Sequence, residues 1–189
     1  HSSLVAVPLA NHWEGTTDER RLDVDESRLE ADIIGFSLRL GRPLRILIVD
    51  DEDVYRMAIA SYLKRSQELA EAIDLVEAPS ALMAIKAAAE GAFDLVITDV
   101  DMGASVLTGF ELVKELSEQG LEALICVHSN RIIAADHKTA IEAGADAFMP
   151  KPMARAQLLR LVLQAAGAKE AIEVKSNEAT KSQGIADTL

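Results

Sequence analysis

The stretch Asp94-Leu95-Val96-Ile97-Thr98-Asp99 decides the fold. It is a short apolar run closed by a carboxylate, and a second carboxylate, Asp101, stands two residues on. Working outward, three further apolar runs lead into polar groups: Ile46-Leu47-Ile48-Val49 into Asp50-Asp51-Glu52, Leu124-Ile125-Cys126-Val127 into Ser129, and Ala147-Phe148-Met149 into Lys151. Helix-like segments separate the runs. Strands of this length alternating with helices imply a parallel sheet, because parallel neighbours need crossover connections and those are usually helices. All the strands then point one way and their carboxyl ends share one edge, the edge at which open parallel sheets bind ligands. Acids, a hydroxyl and an ammonium group far apart in sequence are therefore expected in one crevice.

The composition supports a real core: 49% of the 189 residues are hydrophobic, enough for one ordinary domain with flanking segments. A formal charge of -12 argues against direct nucleic-acid binding, which needs a basic face. The single cysteine, Cys126, lies in an apolar run and reads as a small buried thiol. No apolar stretch approaches the roughly 20 residues that span a bilayer, and no secretory signal pattern is present, so a cytoplasmic location without membrane contact is expected. The chain begins with His1 rather than Met, as a fragment or a tag remnant would.

Residues 1–43 differ in character from the rest of the chain and read as a linker or the end of a preceding domain. Within them Ser3 to Leu9 has the pattern of a short strand, Asp18 to Asp32 is densely charged, and Gly41-Arg42-Pro43 marks a break. The main domain is placed at 44–166. Val54, Met57, Ala58, Ser61 and Tyr62 fall on one helical stripe, and a weaker strand runs from Ile73 to Glu77. Ser80 is placed to cap a helix that Gly91 ends; Phe110, Leu112, Val113 and Leu116 mark another that stops near Gly120. Arg131 to Ala143 and a segment carrying Leu158, Leu159, Leu161 and Val162 complete a count of five strands and five helices. Residues 167–189, small and polar without an apolar period, read as a flexible tail.

Grouped carboxylates at neighbouring strand ends repel one another unless a cation joins them. Hard oxygen ligands with room left for water and phosphate suit Mg2+, so Asp50, Asp51 and Asp99 are the candidate ligands. Lys151 brings a positive charge and Ser129 a hydroxyl donor, both suited to a phosphoryl group. A carboxylate can itself accept that group, and Asp99 is the candidate nucleophile. Singly, each residue has an ordinary use: an Asp after a strand caps a turn, Ser129 caps a helix, Lys151 sits in a solvated turn. The joint placement is what points to chemistry.

Assembled in this order, Ile48-Val49-Asp50-Asp51-Glu52, Thr98-Asp99, Ser129, Gly144-Ala145-Asp146 and Lys151-Pro152 resemble the receiver domain of two-component response regulators. The resemblance implies a flavodoxin-like, doubly wound α/β fold with a five-stranded parallel sheet in order 2-1-3-4-5. It implies Asp99 as phosphoacceptor, Asp50 and Asp51 as the Mg2+-binding pair, and the backbone carbonyl of Asp101 as a further ligand. Ser129 matches the family's switch hydroxyl, Lys151 its phosphoryl-contacting lysine and Phe148 its switch aromatic. Departures lie in the loop after Asp99, where Met102 precedes Gly103 and Gly109 arrives late, and at Asn130, where the family usually has Ala or Gly. A larger side chain at Asn130 is expected to restrict access of water and small phosphodonors to Asp99.

The implied function is that of a phosphorelay receiver taking its phosphoryl group from the phosphohistidine of a histidine kinase or a histidine phosphotransfer protein, with homodimerisation among its modes of association. The receiver in such a relay catalyses its own aspartyl phosphorylation. The pattern of Ser2 to Leu9 resembles the last strand of a kinase ATP-binding domain, which favours the C-terminal receiver of a hybrid sensor histidine kinase, its parent membrane-anchored or not, over a stand-alone regulator. Two readings from other classes compete. One is a degenerate receiver acting as a phosphate-independent binding module. The other is a haloacid dehalogenase-type phosphatase, prompted by Asp99-Val100-Asp101, but there the acidic pair comes after the lysine whereas Asp50-Asp51 precede everything.

Overall fold

A computed structural model describes residues 26–103, 106–130 and 134–167. The elements run α1 (Glu26–Leu40), β1 (Leu44–Val49), α2 (Asp53–Leu63), α3 (Gln67–Glu71), β2 (Ile73–Ala78), α4 (Ala81–Glu90), β3 (Leu95–Thr98), α5 (Gly109–Glu118), β4 (Leu124–Ser129), α6 (Ala134–Ala143) and β5 (Ala147–Pro150), and the chain continues into α7 at 155–167. The five strands form one parallel sheet in the order β2-β1-β3-β4-β5. This is the expected doubly wound arrangement.

Strand alternation explains the two layers. Side chains of successive strand residues point to opposite faces, so Ile46 and Ile48 of β1 enter one core and Leu47 and Val49 the other. The first core joins β1, β3 and β4 to α2, α3 and α7 through Ile59, Leu63, Leu69, Leu158 and Val162. The second packs Ala81, Ala84, Leu112, Val113, Leu116 and Ala140 of α4, α5 and α6 against the other face. Because both faces are covered, all four residues of β3 are buried, as a continuous apolar strand requires. Cys126 is fully buried, and that burial pushes its thiol pKa up.

Two helices begin with side-chain caps, the first of them as expected. Ser80 caps α4 by accepting from the Met83 N–H, and Thr108 with Glu111 forms a reciprocal capping box on α5. Gly120 (φ 75°) and Gly144 (φ 108°) adopt left-handed backbone where α5 and α6 give way to the next strands.

The helix count is seven among the described residues, not five. Short α3 has no room for a period, but Ser66 caps it and Leu69 anchors it in the core. The other addition, α1, occupies part of the stretch expected to be a linker. Its Ile33 is fully buried in the first core, with Leu29, Phe36 and Leu40 packed beside it. Glu26 and Glu30 both pair with Arg155 at the start of α7, and Arg155 Nε donates to the Tyr62 carbonyl at 3.2 Å. The acids and the arginine lie more than a hundred residues apart, out of reach of any local period.

The helical stripe expected on α2 also runs differently. Val54 and Met57 are 64% and 67% exposed, while Ile59 and Leu63 carry the burial. The strand expected at Ser3 to Leu9 and the tail beyond 167 lie outside the described residues, as do 131–133 before α6.

Candidate functional site

Each polar group singled out in the sequence sits where a strand stops. Asp50 comes directly after β1, Asp99 directly after β3, Ser129 ends β4 and Lys151 comes directly after β5. The parallel ladder sets them side by side: Val49 pairs with Thr98 and Ser129 with Pro150, each just before or at the functional residue.

Lys151 Nζ lies 2.7 Å from Asp50 Oδ2 and 2.9 Å from Asp99 Oδ2, with its side chain fully buried. The remaining oxygens are also used. Asp50 Oδ1 accepts the Glu52 N–H at 2.9 Å, and Asp99 Oδ1 accepts the Val100 N–H at 2.7 Å. Arg56 Nη1 donates to the Asp50 carbonyl at 2.5 Å, tying the first turn of α2 to the end of β1. Asp51 is exposed and completes a group in which one carboxylate oxygen each from Asp50, Asp51 and Asp99 lies within 4.8 Å of the others.

Charge and burial compete here. Burial raises the Asp99 pKa, and the hydrogen bond and charge of Lys151 pull it only part of the way back. For Lys151, burial works to lower the pKa, but the two carboxylates outweigh it and hold the ammonium more firmly protonated than usual. One ammonium thus faces three clustered acids, an arrangement that favours an added cation. An octahedral ion with bonds of about 2.1 Å spaces its ligand oxygens about 3 to 4 Å apart. The observed spacing comes close to that with small side-chain shifts, so the donor set fits a hard divalent cation.

The loop after β3 is built closely around this group. A side chain at Gly103 (φ 51°) would approach Asp51 Oδ2 at 2.6 Å, and one at Gly109 would meet the Asp99 carbonyl oxygen at 1.8 Å. Gly109 also donates its N–H to the Val100 carbonyl at 2.9 Å. The late glycine is what allows α5 to begin directly beneath the Asp99 backbone. Asp101 lies exposed in this loop.

Ser129 is buried, and its carbonyl accepts the Lys151 N–H at 2.9 Å. Phe148 is half-buried on β5, with its ring set edgewise against His137 at 5.7 Å. Asn130 is exposed at the rim, and the Tyr55 hydroxyl donates to its Oδ1 at 3.4 Å.

Two residues not singled out in the sequence join the site. Tyr55, in the first turn of α2, places its ring face 3.9 Å from Lys151 Nζ. His128 is buried next to Ser129, edge-on to Tyr55 at 6.3 Å. Burial, and secondarily the charge of Lys151, lower its pKa to about 4, so it is neutral near pH 7. The only advance signal for Tyr55 was its position one turn after Asp51.

A family model described as the response regulator receiver domain matches residues 46–163. The chain belongs to this family, and it is a receiver of two-component signalling. The transcriptional regulatory protein PrrA of Mycobacterium tuberculosis is 32% identical over 119 residues, covering 62% of this chain and 48% of PrrA. The response regulator MprA of Mycobacterium sp. (strain KMS) is 33% identical over 124 residues, covering 62% of this chain and 48% of MprA. The chain thus spans about half the length of the curated relatives it matches. Among solved structures, a CheY-like receiver domain from Methanospirillum hungatei superposes with a TM-score of 0.61 at 21% identity, covering 68% of this chain and 98% of that one. The receiver domain of the putative response regulator NarL from Mycobacterium tuberculosis gives a TM-score of 0.59 at 21% identity, covering 66% and 97%. These likenesses bear out the expected fold. The matched segment begins after α1, within β1. No described helix is long and apolar enough to cross a membrane.

Proposed function

We propose that this receiver accepts a phosphoryl group from phosphohistidine onto Asp99, with Mg2+ held by Asp50, Asp51, Asp99 and the backbone carbonyl of Asp101. The observation that carries the reading is the carboxylate of Asp99 at the end of β3, 2.9 Å from a buried ammonium and grouped with two further acids. An Asp99 oxygen attacks the phosphorus, the P–O bond forms as the P–N bond breaks, and the donor imidazole leaves. The Lys151 ammonium neutralises charge on the phosphoryl oxygens as they approach, and bound Mg2+ would neutralise the rest. Ionised Asp99 is the reactive form, and Lys151 favours it against burial.

In this reading Ser129 donates its hydroxyl to the new phosphoryl group and Phe148 moves with it, shifting the surface of β4, β5 and the helices beside them. An added charge of about -1.5 to -2 supplies the differential interaction that biases two existing states. The receiver unit spans 44–166, with α1 packed against it. Its partner is a histidine kinase or a histidine phosphotransfer protein, and a hybrid kinase is our favoured setting.

The test is phosphoryl transfer from a phosphorylated histidine donor to the chain and to Asp99→Ala, with Mg2+ present or chelated. We expect label that depends on Mg2+ and disappears in the variant. Absence of label on folded wild-type protein would instead assign the domain a phosphate-independent binding role.

A further inference from the structure

We propose that Tyr55 is a positioning residue for phosphoryl transfer, holding the Lys151 ammonium over the acidic cluster through the face of its ring. The inference rests on the reading of Asp99 as phosphoacceptor. Lys151 reaches the site on a long flexible stem, and a lysine ammonium is a point charge without the fixed fork of an arginine. Its direction must come from its surroundings. Asp50 and Asp99 hold it from one side at 2.7 and 2.9 Å, and the ring of Tyr55 lies 3.9 Å away. The negative face of an aromatic ring attracts a cation, more strongly where water is excluded, as at this buried side chain.

The ring is itself oriented. The Tyr55 hydroxyl donates to Asn130 Oδ1 at 3.4 Å, and the His128 imidazole meets the ring at an interplanar angle of 85°. The imidazole is itself buried, so its side of the Tyr55 ring is packed by protein. Tyr55 thus links α2 to the residue after Ser129 and spans the mouth of the site. It also supplies a contact for Lys151 that does not depend on the carboxylates. When a metal ion and a phosphoryl group claim the oxygens of Asp50 and Asp99, the ring still constrains the ammonium.

The experiment monitors phosphorylation of the full chain by phosphoramidate, a small P–N donor, with Mg2+ present. The maximal rate and the half-saturating donor concentration are measured separately. Tyr55→Phe keeps the ring and is expected within about twofold of wild type. Tyr55→Leu and Tyr55→Met remove the ring and are expected to lower the maximal rate about tenfold with little change in half-saturation. In a Lys151→Met background, Tyr55→Leu is expected to add no further loss, because residues acting through one another are not additive. A space-filling role would give additive losses.

Wild-type rates in both ring-less variants, or full additivity with Lys151→Met, would overturn the proposal. Circular dichroism identifies a variant that fails to fold, and the other ring-less variant then decides. Asp99→Ala separates the two readings. Label persisting in that variant, or absent from the wild type, removes the phosphoacceptor reading and this inference with it. Label lost only in Asp99→Ala leaves that reading intact while the Tyr55 series alone decides this one.

Discussion

The two ends of β3 carry the same residue type in opposite circumstances. Asp94, at the amino edge of the sheet, is 2% exposed and fully answered: both Arg42 terminal nitrogens donate to it at 2.8 and 2.9 Å, and the Arg45 N–H donates at 2.7 Å. Asp99, at the carboxyl edge, is 5% exposed and shares a single ammonium with Asp50 while Asp51 adds a third acid nearby. A bidentate guanidinium satisfies a carboxylate in a fixed plane. A lysine between two acids leaves negative charge over, and burial then raises the pKa of Asp99. The amino edge uses its aspartate to close the fold. At the carboxyl edge the fold tolerates an aspartate whose charge is only partly answered, an arrangement that favours an added cation.

The same substitution at the two ends should therefore have opposite signs. Asp94→Asn removes the charge and one acceptor from a buried, fully paired group and is expected to destabilise by about 3 kcal/mol in urea unfolding. A loss under about 1 kcal/mol would mean that the amino edge is not held by this clasp.

A somewhat smaller effect concerns pH at the carboxyl edge. The folded protein holds His128 neutral down to about pH 4, whereas the unfolded chain protonates it near 6.5. Between those values the unfolded state binds more protons, so stability rises with pH and is lost as pH falls. From pH 7 to pH 5 the wild type is expected to lose about 2 kcal/mol more than His128→Leu. Parallel pH profiles of unfolding for the two proteins would refute it.

The smallest effect returns to the second aspartate of the pair. Asp99→Asn is expected to stabilise the metal-free protein at pH 7 slightly in urea unfolding, because the raised pKa means that the ionised form costs more in the folded chain than in water. That cost is present above the raised folded value and vanishes below the ordinary 3.8, so the advantage of Asn should shrink as pH falls through this window. A destabilised Asp99→Asn protein at pH 7 would place both aspartates in the same class.

Much of the carboxyl edge was legible because its signal is local. A continuous apolar strand leading at once into a polar group announces both a buried strand and a residue delivered to the sheet edge, as at Val49-Asp50, Thr98-Asp99 and Met149-Pro150-Lys151. The features that escaped notice are non-local. Tyr55 reads as one aromatic in a helix whose Val54 and Met57 look like core, yet those two face outward while Tyr55 turns to Lys151. His128 reads as the polar end of a strand, yet it is walled in by α2. The charged residues of α1 read as a linker until Arg155 supplies their counterion.

The amino-acid sequence by itself determined the strand–helix alternation, the parallel sheet it forces and the identity of the groups at its carboxyl edge, because periodicity and chain direction act within a few residues. Only the tertiary structure decided which helix face is buried, that α1 joins the core through Ile33, and that an aromatic ring from α2 faces the ammonium after β5. Those outcomes depend on packing and charge between segments far apart in the chain, where burial and opposite charge select a partner that no local pattern names.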